Sequence, residues 1–298
     1  MKNLITKFSY LLLFLLIGSK SLALETEIIR DLDKWREKIA VLDWKNFEEN
    51  EFRASVSDLN GSIKIDKEEI FLEGDDINQY SYWTWGTPDS SQMFIKHTNG
   101  NQLFIQFIDS GYVKMDDWKN VDTKAMIKEM NDDAKTWVEH SKEKNIAYAT
   151  NLSWVMKPQL DNQKNMVYYA YKVEWNNDAV TLESKSLVLG RSGYAEITFV
   201  TPYKENISLK TVSKSNKDKA STFKFESEKV YSEYKTGDKI AAVGIGALLA
   251  TTLGVKALSP GLLATLGKLL AKFWFILLLP FIFIGKLIDS LKTKRKKR

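Results

Sequence analysis

Few residues in this chain combine the type and spacing that chemistry needs. Asp116 and Asp117 stand side by side near Lys114, and two such carboxylates could share a divalent cation or a proton. Adjacent residues on a strand point to opposite faces, so the pair converges only in a turn. No third ligand follows at a suitable spacing, and the expected role is capping of the following helix or pairing with nearby lysines. Histidine occurs only as His97 and His140, in no metal-ligand spacing, and cysteine is absent. Thiolate metal sites, disulfides and a thiol nucleophile are thereby excluded. Neither histidine has the nucleophile or orienting acid of a Ser-His-Asp arrangement. A carboxylate pair of the kind glycosidases use stays open, because its partners can lie far apart in sequence. Arg191, set between Gly190 and Gly193, suits a carboxylate partner within the domain. Those glycines match neither a dinucleotide fingerprint nor a phosphate-binding loop.

The totals narrow the classes further. Across 298 residues the formal charge is +5, and basic residues crowd the end as Lys292, Lys294, Arg295, Lys296, Lys297 and Arg298. That distribution favours an anionic lipid surface over a nucleic-acid-binding face. Nine Trp, twelve Tyr and fifteen Phe imply a packed core and exclude a disordered chain.

The elements that must position these residues come next. Residues 1 to 24 read as a signal peptide or N-terminal anchor: Lys2 and Lys7 precede an apolar stretch, and Ser21-Leu22-Ala23 offers a cleavage site. Helical spacing of Ile28, Leu32, Trp35, Ile39 and Leu42 predicts a helix from Glu27 to about Trp44. Residues 73 to 101 read as short strands and tight turns, with Met93 to Ile95 and Leu103 to Ile108 joined at Asn99-Gly100. A helix over 122 to 143 is capped by Asp122 and buries Met126, Met130, Ala134 and Trp137. Strand-like runs at Asn151 to Met156, Met166 to Trp175, Ser184 to Leu189 and Tyr194 to Thr201 predict an antiparallel meander. Residues 204 to 221, rich in Lys, Ser and Asn, read as an exposed connection, and Phe223 to Tyr234 as the last element.

Two apolar segments follow. Ile240 to Leu258 contains Gly244, Gly246 and Gly254, small residues that suit close helix contact in a membrane. Pro260-Gly261 breaks it, and Leu269 to Ile288 reaches spanning length if Lys272 and Lys286 snorkel. The basic tail then favours a cytoplasmic C-terminus.

The run Gly111-Tyr112-Val113-Lys114-Met115-Asp116-Asp117 resembles the signature of an uncharacterised bacterial family of membrane-anchored proteins, DUF2167. Leu42-Asp43-Trp44, Trp154 with Pro158, Tyr169 to Val173, Gly190-Arg191-Ser192-Gly193-Tyr194, Tyr231, Tyr234 and Gly237-Asp238-Lys239 continue it in order, over roughly residues 35 to 285. The resemblance implies a signal-like N-terminus, an extracytoplasmic domain and a hydrophobic C-terminus. It implies no activity, catalytic residue or cofactor.

The expected fold is therefore α+β: a mostly antiparallel sheet with packed helices, plus a C-terminal transmembrane helical region. The expected layout is a signal peptide or N-terminal anchor over 1–24, an extracytoplasmic α+β domain over 25–236, membrane-anchoring segments over 237–288 and a basic tail over 289–298. The expected function is a membrane-anchored envelope protein of the bacterial inner membrane, acting as a non-catalytic binding module. Its expected partners are membrane lipid and an envelope or membrane protein, with no nucleic acid. The alternatives are a carboxylate-dependent hydrolase of envelope polymers and a subunit of a membrane complex.

Overall fold

The computed structural model describes residues 29, 31–46, 52–55, 59–85, 89–144, 147–203 and 207–255. Its strands, in chain order, are β1 (Phe52–Ala54), β2 (Gly61–Ile65), β3 (Glu69–Glu73), β4 (Met93–His97) and β5 (Gln102–Ile108). Then come β6 (Ala149–Asp161), β7 (Met166–Trp175), β8 (Val180–Leu189), β9 (Tyr194–Pro202) and β10 (Lys224–Phe225). The helices are α1 (Leu32–Ala40), α2 (Asp75–Trp85), α3 (Thr123–Thr136), α4 (Val138–Lys144), α5 (Leu209–Ala220) and α6 (Ile245–Thr252).

Seven strands form one sheet in the order β3-β4-β5-β9-β8-β7-β6, with every neighbouring pair antiparallel. Strands β6 to β9 are the meander that their alternating apolar residues predict. Asn165 and Asp178 adopt the left-handed conformation at two of its turns, where a short polar side chain is tolerated. A second sheet, β1-β2-β10, lies over one face of the first.

Because side chains alternate, each long strand feeds two cores. On one face Met93, Ile95, Leu103, Ile105, Ile197 and Phe199 meet the small sheet and Ala220 at the end of α5. The opposite face carries two separate clusters. Leu72, Ile77, Tyr80, Phe94 and Phe104 lie under α1 and α2, with Trp35 and Trp44 packed against them. Val167, Tyr169, Leu187 and Leu189 lie under α3 and α6, with Met126, Met130 and Leu249. A polar strip of sheet runs between these two covers.

The architecture is α+β, with antiparallel sheets and packed helices. Several local expectations need correction. Within residues 73 to 101, Asp75–Trp85 is a helix, not strands and turns. Its aromatic residues favour strands on propensity, but Ile77, Tyr80 and Ser81 share a buried face at helical spacing. The connection over 204 to 221 contains α5, whose buried residues are Ser213, Asn216 and Ala220. An apolar-period search misses such a face. The helix over 122 to 143 is two helices, breaking at Trp137, which is 58% exposed instead of buried.

The largest correction concerns the transmembrane region. Among the described residues no helix is long and apolar enough to cross a membrane. Within the described part of the first expected span, 240–255, the helix is α6, eight residues long. That is about 12 Å of helix, against roughly 30 Å of hydrocarbon. Ile245, Ala247, Leu248, Leu249 and Ala250 are buried in the protein core. The second segment, the signal over 1–24 and the basic tail lie outside the described residues. The transmembrane region, the membrane anchor, the lipid and membrane-protein partners and the inner-membrane location are withdrawn, because the described part of the first segment that carried them is core and no described helix could span a bilayer.

Candidate functional site

Most of the signature residues converge, and what they build is a clasp. Gly111 takes a left-handed φ of 91°, and a Cβ there would lie 2.8 Å from the Lys239 carbonyl oxygen. This close approach lets the Tyr112 amide donate to Lys239 O at 2.8 Å, while Ala241 donates back to Tyr112 O at 2.9 Å. The Tyr112 ring stacks on Tyr231, with centroids 4.4 Å apart, and meets Tyr234 at a tilt, 4.3 Å away. The Val113 carbonyl accepts from the Tyr231 hydroxyl at 2.8 Å.

Arg191 grips Asp238 with both arms, Nε to Oδ2 at 2.7 Å and Nη2 to Oδ1 at 2.8 Å. The guanidinium and the Lys235 amide hold the Asp238 carboxyl at about 2, well below its ordinary value. Gly190 donates to Gly193 O at 2.8 Å, closing the β8–β9 turn, and Lys239 Nζ reaches the Asp109 carbonyl at 3.2 Å. Gly237 supplies a left-handed turn at φ 104°.

Of the acidic pair, Asp116 is exposed and Asp117 is engaged. Asp117 Oδ1 accepts from the Gly246 amide at 2.9 Å and Oδ2 from Ala247 at 3.2 Å. It therefore caps α6, far along the chain, while Asp122 caps the helix that follows the pair. No metal-holding cluster of acids and histidines occurs among the described residues. Trp154 and Pro158 lie apart from the clasp on β6. Trp154 donates to the Thr123 carbonyl at 2.9 Å and stands edge-on to Tyr169 and Tyr171. Pro158 is buried where the β6–β7 register slips. His97 lies 3.4 Å from Glu68 and His140 stands edge-on to Trp137.

A concave surface with a polar floor lies elsewhere. Between the two helical covers a cleft of about 420 Å³ opens onto the bare strip of sheet. Its floor is Gln106 on β5, Glu196 and Thr198 on β9, and Glu183 and Lys185 on β8. Sheet register puts these groups together: Gln106 faces Glu196, and Lys185 faces Thr198. Phe104 and the loop Asp89 to Ser91 form one wall, and Trp175 closes the other side. Trp175 is fixed by its Nε1 bond to Thr181 Oγ1 at 3.0 Å.

Lys185 pairs with Glu196 and makes a long contact of 3.5 Å to the Thr252 carbonyl of α6. Tyr171 donates to Glu183 Oε2 at 2.5 Å. Burial raises the Glu183 carboxyl above its ordinary value, opposed by the Tyr171 hydroxyl and Lys185. Burial, with the Glu183 charge added, pushes the Tyr171 phenol far up.

The hydrolase alternative is corrected by this geometry. The two glutamates in the cleft are each engaged, one by a tyrosine and one by a lysine, and they do not form a free acid and base pair. None of the cleft residues was singled out in the sequence. The available signal was Glu183, Lys185, Glu196 and Thr198, polar residues at alternate positions of two adjacent strands.

A family model described as a protein of unknown function, DUF2167, matches residues 48–282. The chain belongs to this family. Of the membrane anchor attached to the resemblance, the first expected span is corrected by α6, which is core. No curated protein matches the chain. The solution structure of cyanobacterial PsbP (CyanoP) from Synechocystis sp. PCC 6803 is similar over 59% of this chain and 93% of that one, at 15% identity and a TM-score of 0.35. The Ran-binding protein Mog1p of Saccharomyces cerevisiae is similar over 62% of this chain and 99% of that one, at 8% identity and a TM-score of 0.31.

Proposed function

We propose that this chain is a non-catalytic binding domain that takes a small polar ligand in the cleft between its two helical covers. One observation carries the reading. A sheet that is apolar under both covers turns polar where it is bare, with Gln106, Glu183, Lys185, Glu196 and Thr198 facing one cavity. Charged groups on a sheet floor cost desolvation, and they suit a site where a ligand completes their hydrogen bonding. The volume is that of a small-molecule site. The clasp bears on the cleft only through Lys185, whose ammonium lies 3.5 Å from the Thr252 carbonyl of α6.

The test is an amide-resolved NMR screen of small polar compounds against the full chain. Binders should perturb the amides of Gln106, Lys185, Glu196 and Thr198. Thr198→Phe, which fills the cleft, should abolish those perturbations while leaving the spectrum folded. Perturbations confined to other surfaces, or persisting in the filled variant, would refute the proposal.

A further inference from the structure

We infer that the ligand of this cleft is a small organic cation, with an ammonium or guanidinium group that seats against Glu183. The inference rests on the binding reading above and names the ligand class. The lining holds three carboxylates, Asp89, Glu183 and Glu196, against one ammonium, Lys185. Lys185 is committed to Glu196, and both side chains are largely buried, at 18% and 17% exposure. The remaining acids have only neutral donors: Tyr171 reaches one oxygen of Glu183, and the Ser91 amide reaches Asp89 at 2.7 Å.

An anionic ligand would meet excess negative charge. A neutral one would leave Glu183 sharing the single Lys185 ammonium with Glu196, with no counter-charge of its own. A cation satisfies both acids, and Phe104 and Trp175 in the walls add faces to which cations are attracted.

Proton linkage follows. The groups around Glu183 are Tyr171 on β7, Lys185 on its own strand, Glu196 on β9 and Asp89 on the loop after α2. With the cleft empty, burial favours the protonated acid. A seated cation favours the carboxylate, so binding releases a proton. Affinity should rise with pH through the titration of Glu183, by up to about tenfold per pH unit.

Calorimetry on the full chain tests this with three probes: agmatine as cation, glucose as neutral polyol and succinate as anion. Agmatine should bind at the cleft, tighter at pH 7.5 than at pH 4.5, with heats that depend on buffer ionisation where Glu183 titrates. Glu183→Gln, which keeps an acceptor for Tyr171, should weaken agmatine at least tenfold and remove the pH dependence. Lys185→Met, which frees Glu196, should tighten it. Glucose or succinate binding that Thr198→Phe abolishes and Glu183→Gln does not would overturn the cationic class and leave the binding domain standing. Agmatine binding unaffected by Thr198→Phe would overturn the seat. No cleft binding by any probe would overturn both readings.

Discussion

Replacing Asp117 with alanine tests the attachment of α6. Its carboxylate accepts from two amides in the first turn of that helix, Gly246 at 2.9 Å and Ala247 at 3.2 Å, in a part-buried setting. Loss of a cap costs about 0.5 to 2 kcal/mol, and loss of a carboxylate at a helix N-terminus adds about 0.3 to 1 kcal/mol. The expected destabilisation is therefore about 2 kcal/mol for Asp117→Ala. Asp117→Asn keeps one acceptor and loses the charge, so about 1 kcal/mol is expected. For a domain of this size the alanine variant should melt about 4 to 8 °C lower. Urea unfolding of the full chain gives the free energies, and hydrogen exchange locates them. The amides of Leu248 to Ala250 should exchange faster in Asp117→Ala, while those of the β7–β8 ladder follow the global loss. A change below about 0.5 kcal/mol, within the range of ordinary surface substitutions, would refute the capping argument.

Leu249→Ala removes a wholly buried side chain from the core under α6 and should cost about 2 to 5 kcal/mol in urea unfolding; a nearly neutral result would mean α6 is not core. Asp238 titrates at about 2 in the folded chain against an ordinary 3.8, so its stabilising contribution is complete above pH 3.8 and lost as pH falls toward 2. Asp238→Asn should flatten the melting-temperature profile in that window, and an unchanged slope would contradict the assignment. Glu183 has the opposite sign: its folded value lies above the ordinary 4.5, so stability is greatest below pH 4.5 and falls as pH rises through the folded value. Calorimetric melting of Glu183→Gln should therefore gain on the native chain between pH 4 and pH 7, and a constant difference across that range would count against a buried acid.

Where side chains alternate cleanly, the sequence revealed the fold. The four strands of the meander, the hairpin at Asn99-Gly100 and the cap at Asp122 follow from local pattern and turn chemistry. The misses share a cause: tertiary contacts outweighed local preference. In α5 the buried residues Ser213 and Asn216 satisfy their polarity against the sheet. The Tyr168 hydroxyl bonds Ser213, and Asn216 reaches Ser184 and Thr201. Nothing in the local sequence marks that face as interior. The cleft was illegible for the same reason, since it exists only where β8 and β9 lie side by side beneath a gap in the helices. The signature residues stand far apart in the chain, and only the fold shows that Gly111, Arg191 and Asp238 share one clasp.

The apolar tail shows why hydropathy alone misleads. A helix apolar on every side is surrounded either by lipid or by protein, and composition cannot separate the two. The small residues of this segment do permit close approach, as their type suggests, but to a different neighbour. A Cβ on Gly244 would lie 2.6 Å from the Asp117 carboxyl carbon. One on Gly246 would lie 3.1 Å from the Asp117 carbonyl oxygen and 3.2 Å from Val121. The glycines thus admit the acidic turn to the helix end, where the carboxylate can cap it. Gly254, at φ 68°, lies just past the end of α6 in the left-handed conformation that commonly terminates a helix. A membrane span has no use for an acid at its N-terminus and a glycine stop after eight residues. A buried helix of a folded domain needs both, because the protein around it must satisfy its free amides and end it within the thickness of a core.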